Sequence, residues 1–146
     1  MNLFGVLGIS ASGLQAERQR AEVVAANLAN AETTRTPEGG PYRRRQVIFA
    51  AQGKPQFGPR LAMSTRELSS ARGVEIRDVV ADPSMPGERF DPSHPDANEK
   101  GYVAYPNINP VAEMVDLMSA VRSYQMNAAA VNASKQMIQQ SIEILR

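Results

Sequence analysis

The last third of the chain carries its most regular hydrophobic pattern. Asn109 is suited to cap a helix, Pro110 suits the first helical position, and Glu113 places negative charge near the helix amino terminus. Apolar positions then recur in alternating steps of three and four residues, which is typical of a helix that packs along a partner helix. Interrupted only by Lys135, this stripe contains Met114, Leu117, Val121, Tyr124, Ala128, Val131, Ile138, Ile142 and Leu145. The pattern predicts a long helix with a coiled-coil seam.

A second apolar stripe, spaced by seven residues, lies near the start of the chain. Ser12 and Gln15 form a capping box, and three glycines precede Gln15, each of which costs a helix about 1 kcal/mol relative to alanine. The sequence therefore predicts a helix over residues 15–31, and residues 1–11 that become ordered only on contact with a partner. The stripe consists of Leu7, Leu14, Ala21 and Leu28, supported by Val24 and Ala25.

Proline divides the chain into three segments. All ten prolines lie between Pro37 and Pro110, and proline breaks helix interiors. We therefore expect an N-terminal helix segment over residues 1–36, a central loop and β region over 37–108, and a C-terminal helix over 109–146.

The central segment contains two strand candidates. Residues 74–80 alternate as a half-buried strand does, and residues 46–49 form a weaker candidate. Residues 82–95 carry four prolines and a glycine, which favours an extended, turn-rich loop. The expected fold is mainly α, with a small β-rich insert and two long terminal helices that pair as a coiled coil.

The C-terminal helix is too long for the rest of the chain to cover. About 36 helical residues reach ~54 Å, whereas a compact globule of this chain length is ~40 Å across. We therefore expect the members of both stripes to form a subunit interface completed by neighbouring chains. The alternative is an internal helical hairpin that satisfies the whole seam.

Asparagines and methionines on or beside the stripes leave two interpretations open. The asparagines are either solvent-exposed or buried, and in a coiled coil a buried asparagine fixes register. The methionines are expected to fill gaps in a core. These residues are Asn27, Asn30, Asn127 and Asn132, and Met114, Met118, Met126 and Met137.

Composition and charge exclude several classes of partner. Lys and Arg sum to 16 and Asp and Glu to 15, a net charge of +1 that gives no field suited to nucleic acid. The chain has no cysteine, and no stretch approaches the roughly 18 apolar residues of a membrane span. No basic region precedes the apolar start, as it would in a cleaved secretory signal. We expect no nucleic acid and no membrane span.

The residues offer little for catalysis or ligand chemistry. His94, beside Asp91, Asp96 and Glu99, is the one place for a metal or acid–base site, but no metal-binding motif occurs there and we expect a solvated loop. Nucleophile-elbow and phosphate-loop motifs are absent from the sequence. We predict no catalytic, cofactor-binding or metal residues, no cofactor, and a protein that is not an enzyme.

Three consecutive arginines, residues 43–45, follow Tyr42. Basic residues near aromatics occur in single-strand binders, but this run is short and isolated. We interpret it as a charged strand edge that discourages aberrant pairing.

Two sets of motifs resemble a known family. S-G-L at residues 12–14, N-L-A-N-A at 27–31 and T-T-R-T-P-E-G-G-P-Y-R-R at 33–44 are similar to the amino-terminal signature of bacterial flagellar rod proteins. A second set is similar to a proximal-rod member of that family: D-P-S-H-P-D-A-N at 91–98, G-Y-V-A-Y-P-N at 101–107, N-P-V at 109–111 and E-M-V-D-L-M at 113–118.

The resemblance implies a structural subunit of the flagellar basal-body rod, the drive shaft that crosses the periplasm. It implies export by the flagellar type III apparatus without a cleaved signal peptide, and terminal helices that pair in an inner tubular layer. The implied partners are copies of itself, other rod proteins, and export-gate and hook-basal-body components. The alternative is a soluble helical-hairpin adaptor that does not polymerise.

Overall fold

The computed structural model describes residues 3–53 and 72–144, in which two long helices flank two small β-sheets. The elements are α1 (Leu3–Ala29), β1 (Arg45–Ala51), β2 (Val74–Ala81), β3 (Gly87–Phe90), β4 (Tyr102–Tyr105) and α2 (Pro110–Ile144). The predicted terminal helices and short-strand insert are confirmed. No helix in this part of the chain combines the length and apolarity that a bilayer crossing requires.

Helix α1 begins at Leu3, so the predicted start at Gln15 is wrong, and residues 3–11, which we expected to become ordered only on contact with a partner, are helical. The glycines that argued against helix lie inside it, and Gly13 has a packing role. A Cβ atom at Gly13 would lie 3.0 Å from the side-chain amide of Asn127 on α2. Packing against α2 thus outweighs the low helix propensity of glycine.

Helix α2 begins as the sequence predicts. The Asn109 side-chain oxygen accepts hydrogen bonds from the backbone N–H groups of Val111 at 3.0 Å and Ala112 at 3.4 Å. These bonds satisfy two of the four N–H groups that a helix start leaves unpaired.

The two helices pack against each other in antiparallel directions, because Asn27 near the end of α1 meets Glu113 at the start of α2 while Gly13 meets Asn127. Small side chains are prominent among the buried positions of both helices. On α2, Glu113, Ala120 and Ser134 are buried at spacings of seven and fourteen residues, and on α1 the buried positions include Ser10, Ala16, Val24 and Asn27.

Strands β1 and β2 form an antiparallel ribbon that confirms both strand candidates. Ile48 pairs with Asp78 and Phe49 with Ile76, so Arg77 is the extra residue of a β-bulge. The ribbon lies along α1, since both of its strands contact that helix.

The ribbon is attached to α1 at both ends. At one end Asn27 binds the backbone of Arg45, and at the other the Ser12 hydroxyl accepts a hydrogen bond from the N–H of Val74 at 3.0 Å. The helix between Ser12 and Asn27 is about 22 Å long, and the seven residues of β1 span about 23 Å. The two elements therefore match in length.

Strands β3 and β4 form a second antiparallel pair, from Gly87 opposite Tyr105 to Phe90 opposite Tyr102. The expectation of a loop over residues 82–95 is wrong for β3. Its four residues are all exposed and carry no alternation, so the strand depends on its distant partner and on an edge-to-face contact between the Phe90 and Tyr102 rings, 5.3 Å apart.

Candidate assembly surface and polar clamp

Asn27 lies where α1, α2 and β1 meet, and its side chain is fully buried. The carboxamide oxygen accepts hydrogen bonds from the Arg45 N–H at 2.9 Å and the Tyr42 hydroxyl at 3.2 Å. The carboxamide nitrogen donates to the Arg45 carbonyl at 2.8 Å and to the Glu113 carboxylate at 3.0 Å. These four bonds use the full hydrogen-bonding capacity of an asparagine side chain.

The Glu113 carboxylate, with a side chain only 1% exposed, is shared between two partners. One oxygen accepts from Asn27, and the other accepts from the Arg44 Nε at 2.6 Å. Arg44 also reaches Asp116 at 3.6 Å, and Asp116 lies 3.7 Å from Arg20 on α1. We call Asn27, Arg44 and Glu113 the polar clamp.

The clamp compensates the cost of burying its charge. A buried carboxylate is expensive unless it is paired and hydrogen-bonded. Among the residues that the structure describes, no fully buried side-chain nitrogen or oxygen lacks a hydrogen-bond partner.

Sequence reasoning identified parts of the clamp but not the whole. Of the two interpretations of Asn27, burial is correct. For Glu113 the sequence predicts only an interaction with the helix dipole, and the strand-edge interpretation is wrong for Arg44, whose guanidinium pairs with Glu113 on α2. The three residues lie far apart in sequence, so no local spacing signals their contact.

The predicted stripe on α2 is largely not the face that packs on α1. The buried row on α2 is displaced from it by one residue, or 100° around the helix. Leu117, Ala128, Val131 and Ile138 are half-buried beside the buried row. The remaining described members stay exposed: Met114 (53%), Val121 (44%), Tyr124 (42%) and Ile142 (62%).

The stripe on α1 is less exposed. Leu7, Leu14, Ala21 and Leu28 are all half-buried, and the supporting Val24 is buried while Ala25 is exposed. The predicted interface residue Leu145 lies outside the described residues.

An open groove of about 370 Å³ lies between the two helices. It is lined by the apolar residues Ala21, Ala120, Val121 and Tyr124 together with Glu17 and Arg18. Three of these residues were predicted as interface residues, namely Ala21, Val121 and Tyr124.

Next to the stripe, α2 carries exposed apolar residues that sequence reasoning missed. Val111, Val115 and Met118 are spaced by three and four residues and lie open to solvent. The expectation that methionines fill the core is wrong for Met114, Met118, Met126 and Met137, which are all exposed. The exposed stripe residues Met114, Val121, Tyr124 and Ile142 are hereafter called the assembly surface.

The loop around His94 is built from turns. The His94 Nδ1 accepts from the Asp96 N–H at 3.1 Å, and Asp96 also accepts from the Thr34 hydroxyl at 2.8 Å. A hydrogen bond of 2.7 Å from the Ser93 hydroxyl lowers the pKa of Asp91. In the described parts of the chain, no three His, Cys, Asp or Glu side chains are grouped so that they could hold a metal.

Two protein-family models match the terminal parts of this chain. The family model described as "Flagella basal body rod protein" matches residues 7–35, most of them in α1, and the one described as "Flagellar basal body rod FlgEFG protein C-terminal" matches residues 99–144, most of them in α2. Proteins named flagellar basal-body rod protein FlgC match over almost their full length. The relative from Bacillus subtilis is 40% identical, with 99% of each chain covered, and that from Borreliella burgdorferi is 38% identical, covering 100% of this chain and 99% of the relative.

The chain belongs to the FlgC family of flagellar basal-body rod proteins. A FlgC relative from Aquifex aeolicus is 36% identical over 98% of this chain. FlgC membership confirms the resemblance found in the motifs, and a rod structural protein fits the expectation that the chain is not an enzyme.

Proposed function

We propose that this chain is a subunit of the proximal rod that polymerises through its two terminal helices. The observation that carries the proposal is the exposure of Met114, Val121, Tyr124 and Ile142 after α1 and α2 have packed together. An apolar row of this kind along a single helix is typical of a protein interface. We propose that helices of neighbouring subunits cover it, and that the terminal helices then form a coiled-coil layer.

Polymerisation would follow from the geometry of such a contact. When two different faces of the same chain meet, the contact does not close on itself, and repetition gives a helical array. A shaft needs that arrangement. We further propose that copies of the chain and other rod proteins supply these contacts, with export-gate and hook-basal-body components at the ends.

The division into terminal helix segments and a central region fits this function. We propose that residues 1–36 and 109–146 build the inner layer, and that residues 37–108 lie outside it. We also propose that the chain is exported through the flagellar type III apparatus without a cleaved signal. It then joins a rod that crosses the periplasm.

The test is a pair of substitutions that add the same charge on two sides of one buried residue. Ala120 is buried, and Val121 and Ser119 flank it at 100° in either direction around α2. Val121→Asp places a carboxylate in the assembly surface, whereas the control Ser119→Asp places one outside the predicted stripe. Both positions are exposed in the single chain, so each variant should keep its stability within about 0.5 kcal/mol.

The expected result is loss of rods and motility for Val121→Asp and normal rods for Ser119→Asp. Burying the new carboxylate between subunits costs several kcal/mol unless it is paired. Normal rods and swimming with Val121→Asp would overturn the proposal. Stable monomers at high concentration in purified wild-type protein would then favour the helical-hairpin adaptor.

A further inference from the structure

The seam between α1 and α2 repeats along both helices. Asn27 meets Glu113 and Gly13 meets Asn127, a register that places Arg20 opposite Ala120. On α2 the seam positions Glu113, Ala120, Asn127 and Ser134 follow one another at intervals of seven residues.

A slide of one helix by seven residues would keep several seam pairs compatible. In one direction Arg20 would face Glu113 and Gly13 would face Ala120, an opposite-charge pair and a pair of small residues. In the other direction Gly13 would face Ser134 and Asn27 would face Ala120. Asn127, which packs closely against Gly13 in the native register, would face Val6 or Arg20 instead. Apart from that contact, the small residues of the seam select no single register.

The connection between the helices does not select a register by its length. Helix α1 ends at Ala29 and α2 begins at Pro110, so 80 residues join them. A slide of seven residues moves one helix by about 10 Å relative to the other. A connection this long accommodates such a displacement.

The polar clamp is where a slide would break specific bonds. The Glu113 carboxylate would leave both the Asn27 amide and the Arg44 guanidinium, which bind it at 3.0 and 2.6 Å. Asn27 remains tied to the Arg45 backbone through two bonds and cannot follow α2 without releasing β1. The native register satisfies all of these groups together.

We propose that the polar clamp fixes the register of the helical hairpin and, through Arg44 and Arg45, the position of the β1–β2 ribbon relative to it. A buried polar residue at a repeating helix–helix seam sets the alignment of the two helices, because other alignments leave it without its hydrogen-bond partners. This inference concerns the single chain and holds whether or not the assembly surface polymerises.

The experiment measures the alignment of the two helices directly. Because the chain has no cysteine, Ala25→Cys and Gln136→Cys, both at exposed positions, can carry two spin labels for electron–electron distance measurement on dilute, full-length protein. Ala25 faces position 115, so the labels are offset along the helix axes by about 31 Å. A slide of seven residues changes that offset to about 21 or 42 Å.

The clamp is then replaced by apolar side chains in the variant Asn27→Leu/Arg44→Met/Glu113→Leu. We expect one distance for the parent protein and at least two for the variant, at unchanged helix content by circular dichroism. Ser134→Ala is the matched control, since it removes a buried polar group from the same seam without touching the clamp, and it should keep one distance.

A single, unchanged distance in the apolar variant would overturn the proposal and assign the register to the small-residue seam itself. If that variant does not fold, Asn27→Ser is measured instead, because it keeps only part of the hydrogen bonds. Two distances for Asn27→Ser support the proposal, and one distance overturns it.

Discussion

At the scale of single residues, two glycines in α1 differ in what surrounds them. A Cβ atom at Gly8 would meet nothing within 4 Å, whereas one at Gly13 would lie 3.0 Å from the Asn127 side chain. Replacing glycine by alanine inside a helix stabilises it by about 1 kcal/mol when the space is free. We therefore expect Gly8→Ala to gain about that amount, and Gly13→Ala to gain less or to lose stability.

Chemical denaturation of the two variants beside the parent protein measures this difference. Asn127→Ala is the informative partner, because it removes the obstructing amide and should restore the full gain to Gly13→Ala. Equal gains for Gly8→Ala and Gly13→Ala alone would contradict the close contact between the helices at this point.

At the scale of elements, the β1–β2 ribbon depends on α1 at two separate points. Ser12 provides the point distant from the clamp, since its hydroxyl donates to the Ile9 carbonyl at 2.7 Å and accepts from the Val74 N–H. We expect Ser12→Ala to cost about 1 kcal/mol, the usual contribution of one hydrogen bond. Faster hydrogen exchange at Val74, with unchanged exchange at Arg45, is the expected signature.

Exchange at Val74 and Arg45 shows whether the Ser12 and Asn27 attachments of the ribbon act independently. If exchange accelerates equally at Val74 and Arg45, the ribbon opens as one unit and the attachments are not independent. If exchange at Val74 is unchanged, the Ser12 hydroxyl contributes nothing to holding β2.

The elements also show which features the sequence could predict. The long helix α2, its Asn109 cap and strand β2 follow from local periodicity and capping chemistry, which neighbouring residues determine. The packed face of α2 does not follow from that pattern. The apolar stripe indicated Val121, whereas the face packed on α1 centres on Ala120, because two helices that approach closely need small side chains between them.

The polar clamp could not be predicted from local sequence, because its residues come from distant segments of the chain. Arg44 and Glu113 are 69 residues apart in sequence, and their pairing depends on the path of the whole insert. Strand β3, with four exposed residues, likewise forms only because β4 lies beside it. Contacts between distant segments leave no periodic signal in the sequence.

At the scale of the whole molecule, α2 is longer than α1. The end of α2 therefore extends past the described part of α1 and does not pack against it. Helix α1 has 27 described residues and α2 has 35. In the register that joins Asn27 to Glu113, Leu3 faces Met137, so residues 138–144 extend beyond the described part of α1. Ile142, in this extension, is 62% exposed.

This extension should respond to assembly more than any other part of α2. In dilute, monomeric protein we expect the amides of residues 138–144 to exchange faster than those of 120–134, which pack along α1. When rods form, neighbouring helices should cover the extension and slow its exchange, because burial of an apolar face stabilises a helix end that its own propensity does not hold. Hydrogen exchange followed by mass spectrometry on both states measures this change.

Equal protection of the two segments in the monomer would mean that α2 is stable to its end without a partner. Assembly would then not stabilise the end of this helix.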